Sequence, residues 1–262
     1  MKRSFNRIIF VTIAFSLVSC VNSSKASSWL PSFLCSQQAN PAPQWAYYWM
    51  LLDSDTKPKD ICATLWALER DPQYEGIMLI IDGYARDISS YSCIHDMILR
   101  IKKKKPVVAL ITGSAFSGMY LMASAADYIF AHSGTHIGDI GTQVEIQRWS
   151  DVHFEHNNYK ANAKTYLFKA GAYKSLENPI APDLTEEEMA ELQRYVEAEY
   201  RTLVTSIAQN RNLDVDRANE WADGKTFIAS EALKHGLIDE IGTRFEAVDK
   251  LVELMEKKQN NS

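Results

Sequence analysis

Two side chains in this sequence have the right types for acyl transfer, Ser117 and Lys174. Ser117 stands in Ala115-Phe116-Ser117-Gly118-Met119-Tyr120, where an apolar run, Pro106 to Thr112, hands over to small and apolar residues, Ser117 to Ala126. A hydroxyl at such a strand-to-helix turn meets the free N–H groups and the positive end of the helix, which favour a developing negative charge. Gly118 lets a substrate carbonyl approach the backbone closely. A serine in the same place often does no more than cap the helix. A nucleophilic serine also needs a base. His132 and His136 are the nearest histidines, and their spacing places neither beside Ser117. A lysine serves if burial lowers its pKa. Lys174, in Gly171-Ala172-Tyr173-Lys174-Ser175, follows an irregular glycine-bearing stretch and precedes Pro179. Spacing alone leaves it equally readable as a solvated loop lysine.

These residues have to be held by the elements around them. Trp45 to Leu52 and Gly76 to Ile81 read as strands, as do Pro106 to Thr112 and Tyr128 to Ala131. Asp60 to Glu69 has helical spacing. Asp87 can cap a second helix that buries Ile88, Tyr91, Ile94, Met97, Ile98 and Ile101. Lysines 102–105 follow it and suit a solvated helix C-terminus. Strands that are apolar throughout need cover on both faces, so the alternation predicts an α/β layered fold. The last third is mainly helical. Thr185 and Glu188 form a capping box ahead of a helix lined by Met189, Leu192, Val196, Leu203 and Ile207. Short helices are expected at Asp216 to Ala222 and Ser230 to His235. A terminal one should bury Phe245, Val248, Leu251, Val252 and Met255.

The chain has 262 residues, 46% of them hydrophobic and 23% charged, with a formal net charge of -5. That gives an ample core and no dominant basic face, which argues against nucleic acid as a partner. Lys2, Arg3 and Arg7 precede an apolar run from Ile8 to Val18, too short to span a bilayer as a helix and suited to an export signal. It ends in Leu17-Val18-Ser19-Cys20, which resembles a bacterial lipobox with Cys20 as the lipidated residue. Residues 1–20 are therefore assigned to the signal, 21–44 to a polar tether, and 45–262 to the folded domain. Cys35, Cys62 and Cys93 remain. Export permits pairing, but their spacing matches no metal motif, and Cys62 and Cys93 read as small core residues.

The stretch from Val107 to Gly242 resembles the signal peptide peptidase (SppA/SohB) family of serine proteases. Three pieces match in order. VVALITGSAFSGMYLMASAADYIFA is similar to the family's nucleophile segment, KAGAYKSLENPIAPDLTEEE to its lysine segment, and ADGKTFIASEALKHGLIDEIG to its A-D-G…G-L-I-D-E-I-G signature. The resemblance implies a ClpP/crotonase-like spiral of β-β-α units with a helical C-terminal part. It implies Ser117 as nucleophile, Lys174 as base, and the backbone N–H of Gly118 in the oxyanion hole. Two places depart from the family. Its N-S-P-G-G is here Asp82-Gly83-Tyr84-Ala85-Arg86, so Ala85 would supply the second backbone donor and Arg86 would stand at the cleft. Its G-S-I-G is here Gly138-Asp139-Ile140-Gly141, so Asp139 takes the place of a serine that orients the lysine. A carboxylate there would favour the charged lysine.

Taken with the export signal, this implies a membrane-associated endopeptidase that faces the periplasm or cell exterior through an N-terminal lipid. It would cut signal-peptide remnants or unfolded segments. Ser/Lys chemistry needs no metal or organic cofactor. The family also implies a ring-like homo-oligomer. The departures at Ala85, Arg86 and Asp139 motivate an alternative, a weak or inactive scaffold that binds peptides or partner proteins. An acyl-CoA enzyme on the same fold is opposed by the export signal, and a triad built on His136 is the weakest reading.

Overall fold

The computed structural model of the protein describes residues 46–55, 57–85, 88–146, 153–156, 159–162, 173, 176 and 183–260. The signal segment with Cys20, the tether with Cys35, and Arg86, Asp87 and Lys174 lie outside the described residues. In chain order the elements are β1 (Tyr47–Asp53), α1 (Pro58–Arg70), β2 (Gly76–Ala85), α2 (Ile88–Ile101), β3 (Val107–Ser117), α3 (Gly118–Ser124), β4 (Tyr128–Ala131) and β5 (His136–Gly138). There follow β6 (His153–His156), β7 (Tyr159–Asn162), α4 (Glu186–Arg211), α5 (Ala218–Trp221), β8 (Thr226–Ile228), α6 (Ala229–Lys234), β9 (Glu240–Ile241) and α7 (Arg244–Asn260). Among the described residues, no helix is long and apolar enough to cross a membrane.

The apolar runs of β2 and β3 become central strands because both of their faces are covered. Alternate side chains point to opposite faces of a sheet. Ile77, Leu79 and Ile81 of β2, with Val107, Ala109 and Ile111 of β3, join a core shared with Leu65, Ile94, Ile98, Met119 and Ile207 of the helices. Met78, Val108 and Leu110 turn the other way, onto Ala247, Leu251 and Met255 of α7. Full burial of each large apolar side chain stabilises by about 1.5–3 kcal/mol, so both helical layers are needed to hold the sheet.

β1, β2, β3 and β4 pair in parallel, with β9 beyond β4. β2 pairs with one edge of β3 on both sides of an irregularity at residues 112–114. The other edge is shared: Val108–Ile111 pair with β4 and Ser114–Phe116 with β5, which pairs antiparallel with β8. This fork at the C-terminal half of β3 is what a plain layered reading of the sequence lacks. β6 and β7 form a separate antiparallel pair.

Three expectations need correction. Phe245 is 81% exposed, because α7 buries Ala247, Leu251 and Met255, and a residue two positions from that stripe points about 200° away from it. Met189 is also exposed: α4 packs on the core through its second half, burying Leu203, Val204, Ile207 and Ala208 with Tyr200 beside them. Its first turns rest on local devices, the Thr185/Glu188 capping box and the Glu191–Arg194 and Glu197–Arg201 pairs. Cys93 is exposed and Cys62 half-buried, so neither is a core residue.

Lysines 104 and 105 do more than solvate a helix end. Lys104 and Arg100 donate to the Glu69 carboxylate at 2.7 and 3.0 Å, and Arg70 lies 3.2 Å from it. Lys105 donates to the Leu68 carbonyl at 2.6 Å. The α1 and α2 C-termini are thereby joined. Hydrogen bonds from Lys104 and then Arg100 hold the Glu69 carboxyl down at about 2. Its folded-state pKa is depressed, so its contribution to stability is complete above the ordinary carboxylate range and is lost as pH falls toward 2. The urea midpoint of the wild type is expected to drop between about pH 4.5 and 2 more steeply than that of Glu69→Gln. Parallel curves would show that the network contributes nothing.

Candidate active site

Ser117 closes β3 and precedes α3, with φ 52° and ψ −119°. A non-glycine residue with positive φ is strained by about 1–3 kcal/mol and persists only where the surroundings over-determine it. Strand-to-helix turns of this strained kind raise a nucleophile at the head of a helix in α/β-hydrolases. The hydroxyl does not cap α3, and the residue is 5% exposed. α3 is only seven residues long, so the backbone N–H groups of its first turn, rather than a large helix dipole, are what it offers an anion.

The parallel register sets Ala85, the last residue of β2, level with Ser117. Gly118 is pressed against the same residue: a Cβ on it would lie 3.0 Å from Ala85 Cβ and 3.1 Å from the Ala85 carbonyl oxygen. Ala85, Ser117 and Gly118, separated by 32 and 33 positions in the chain, therefore share one corner.

A register shift between Ile81 and Gly83 makes this alignment. β3 advances from Ile111 to Ala115 while β2 advances only from Ile81 to Gly83. The Asp82 carboxylate spans the irregularity, accepting from Ser114 N at 2.8 Å and Ser114 Oγ at 3.3 Å. Ser54 Oγ accepts from Tyr84 N at 3.0 Å on the other side. Asp82 and Ser54 aim the end of β2, a task invisible in the sequence because Ser114 lies 32 residues further on.

Asp139 directly follows β5. Gly138, the last residue of β5, is level with Phe116, the residue before Ser117. Asp139 has φ 48°, and its N–H donates to the Lys225 carbonyl at 2.8 Å. The neighbouring Gly138, at φ 134°, has no room for a side chain: a Cβ would lie 2.2 Å from that same carbonyl oxygen. Burial raises the Asp139 carboxyl above the ordinary aspartate value. His136 stands level with Ser114, three residues or about 10 Å along the strand from Ser117, which sets it apart from the serine. The Lys174 segment is described only at Tyr173, exposed, and Leu176, buried.

The G-L-I-D-E-I-G signature holds this corner from behind. Tyr120 of α3, fully buried, donates to the Leu237 carbonyl at 2.7 Å. Asp239 accepts from Ile129 N at 2.7 Å and binds Arg211 through two hydrogen bonds of 2.8 and 3.0 Å. Arg211 also donates to the Gly236 carbonyl. The A-D-G part seats Asp139: Gly224 N donates to the Ile140 carbonyl at 3.1 Å, and Tyr200 donates to the Ala222 carbonyl at 2.7 Å. At the far end of α3, the Asn210 amide donates to Ser124 Oγ at 3.0 Å and to His95 at 2.8 Å. Sequence reading found the signature but not these tasks, and it gave none to Asp82, Tyr120 or Arg211.

Residues 100–258 match the family model described as peptidase family S49. A protein of Methanocaldococcus jannaschii whose name calls it a protease is 31% identical over 71% of this chain and 58% of its own. A protein of Enterococcus faecium named for signal peptide peptidase SppA is 29% identical over 70% of this chain and 52% of its own. Protease 4 of Haemophilus influenzae is 29% identical over 60% of this chain and 25% of its own. The chain thus spans between a quarter and three fifths of the length of these relatives. The family match runs through the Ser117 turn, the β5 strand that pairs with the end of β3, and the signature that braces both. A sequence match that coincides with a physically connected corner of the fold is a family relationship, and the chain belongs to peptidase family S49.

Proposed function

We propose that the protein is a serine endopeptidase in which Ser117 is the nucleophile and Lys174 the general base. The observation that carries this reading is the Ser117 turn, a serine strained at φ 52° whose hydroxyl is not used to cap the helix it precedes. In the proposed mechanism neutral Lys174 takes the Ser117 proton as the oxygen attacks the scissile carbonyl. Backbone N–H groups at Gly118 and Ala85 stabilise the oxyanion. The protonated lysine then gives its proton to the leaving amine, and a water repeats the sequence on the Ser117 ester. Peptides with an apolar segment are the substrate class, in keeping with the signal-peptide name of the Enterococcus relative.

Incubation of the full chain with an unstructured, apolar-centred peptide should yield two complementary fragments by mass spectrometry. Retention of the peptide on the protein without cleavage would replace the peptidase reading by the scaffold reading, which the departure from the family at Asp139 favours.

Asp139 gives the mechanism a pH signature. An aspartate that reaches Lys174 favours the ammonium form and raises the pH at which neutral base becomes available. Activity should then climb toward alkaline pH, and Asp139→Ser should move the rise in kcat/KM to lower pH. Superimposed profiles would mean that Asp139 does not act on the base.

Anchoring through a lipid on Cys20 is part of the same proposal, as is assembly of the domain at 45–262 into a ring-like homo-oligomer, for which light scattering is the test. Cys20→Ala should free the protein from membranes in a carbonate wash; unchanged retention would point to an uncleaved anchor.

A further inference from the structure

We propose that Cys62 and Cys93 are an oxidisable pair that closes a disulfide clamp between α1 and α2. Their sulfurs lie 2.6 Å apart. A second contact fixes the same seam independently. Glu69 and Arg100 are joined at 3.0 Å, and each lies seven residues after one of the cysteines. Both pairs are 31 positions apart in the chain. Two helices that follow successive parallel strands run parallel to each other, and seven residues are two helical turns. The register that brings the glutamate to the arginine therefore returns the two cysteines to each other two turns earlier. The ion pairs close the C-terminal end of the seam, and the thiols lie upstream of it.

The two sulfurs differ in access. Cys93 is exposed, while Cys62 is half-buried beside the core. Burial, and after it the hydrogen bond with Cys93, push the Cys62 thiol up to about 12. Cys93 is accordingly the entry point. Its thiolate attacks one sulfur of a small-molecule disulfide, and the other sulfur leaves as a thiol. Cys62 then loses its proton and displaces the second thiol from Cys93. In sum, two protein thiols give up two protons and two electrons, one S–S bond forms, and the oxidant's disulfide becomes two thiols. The clamp constrains a loop of about 31 residues in the unfolded chain, so its effect should appear as stability.

The test uses the full chain, treated with oxidised glutathione and digested without reduction. The peptides that carry Cys62 and Cys93 are expected to be joined to each other. The oxidised protein should melt roughly 5–10 °C higher than the reduced one, and Cys62→Ser and Cys93→Ser should each melt at the same temperature with and without reductant. The proposal is overturned if both thiols remain open to alkylation after oxidation, or if Cys35 is found joined to either of them. Peptide mapping of the wild type decides this even if a serine variant folds poorly, and its outcome does not depend on peptidase activity.

Discussion

Replacement of Ser117 by alanine is expected to abolish peptide hydrolysis, with Lys174→Ala and the double variant no worse than either alone. Members of a catalytic unit act together, so either loss should lower kcat by at least about 10⁴-fold. The fold should survive. The Ser117 hydroxyl does not cap α3, and alanine keeps the turn. Glycine at the same position separates strain from chemistry. At φ 52° and ψ −119° a residue without a Cβ is less strained. Ser117→Gly should therefore be equally inactive while melting about 2–4 °C higher than Ser117→Ala, once the greater flexibility of glycine in the unfolded chain offsets part of the relief. A Ser117→Gly protein no more stable than Ser117→Ala would mean that the turn is not strained for function. Full activity in Lys174→Ala would end the dyad.

The second large effect concerns the brace behind the site. Asp239→Ala should cost about 2–4 kcal/mol and lower the melting temperature by roughly 10 °C. Arg211 is only 8% exposed, so loss of its carboxylate partner strands a charge in a poorly solvated place. The same substitution leaves Ile129 N without its acceptor at the start of β4. The Asp239 side chain is 27% exposed, and water reaching that end keeps the cost below that of a fully buried pair. Asp239→Asn retains an acceptor for Ile129 and should recover part of the loss. A change within about 2 °C for Asp239→Ala in thermal denaturation would remove the brace from the account.

How far the sequence could be read depended on the range of each interaction. β2 and β3 were legible because burial on both faces writes an unbroken apolar run. The Thr185/Glu188 capping box was legible because its bonds span three residues. Apolar periodicity gave the helices α4 and α7 but not which turns touch the core, so Met189 and Phe245 were expected inside. The fork at β3, the Asp82 bridge to Ser114 and the Arg211–Asp239 pair depend on chain pairing across tens of residues, and no local pattern marks them. Ser117 was a plausible helix cap until the family motifs singled it out. Its positive φ and its uncapped helix are separate observations, on which the proposed role draws. Lys174 rests on the motifs alone, since it lies outside the described residues. Cys62 and Cys93 read as core from their chemistry, and only the helix seam shows them to be neighbours nearer the surface.

The central claim is that Ser117 is an activated nucleophile. Reaction of the full chain with a fluorophosphonate probe, followed by digestion and mass spectrometry, tests it without any knowledge of the natural substrate. The account predicts one adduct, on Ser117, formed faster as pH rises and lost in Lys174→Ala. Absence of labelling across the pH range in folded protein, or labelling at another serine with Ser117 unmodified, would contradict it.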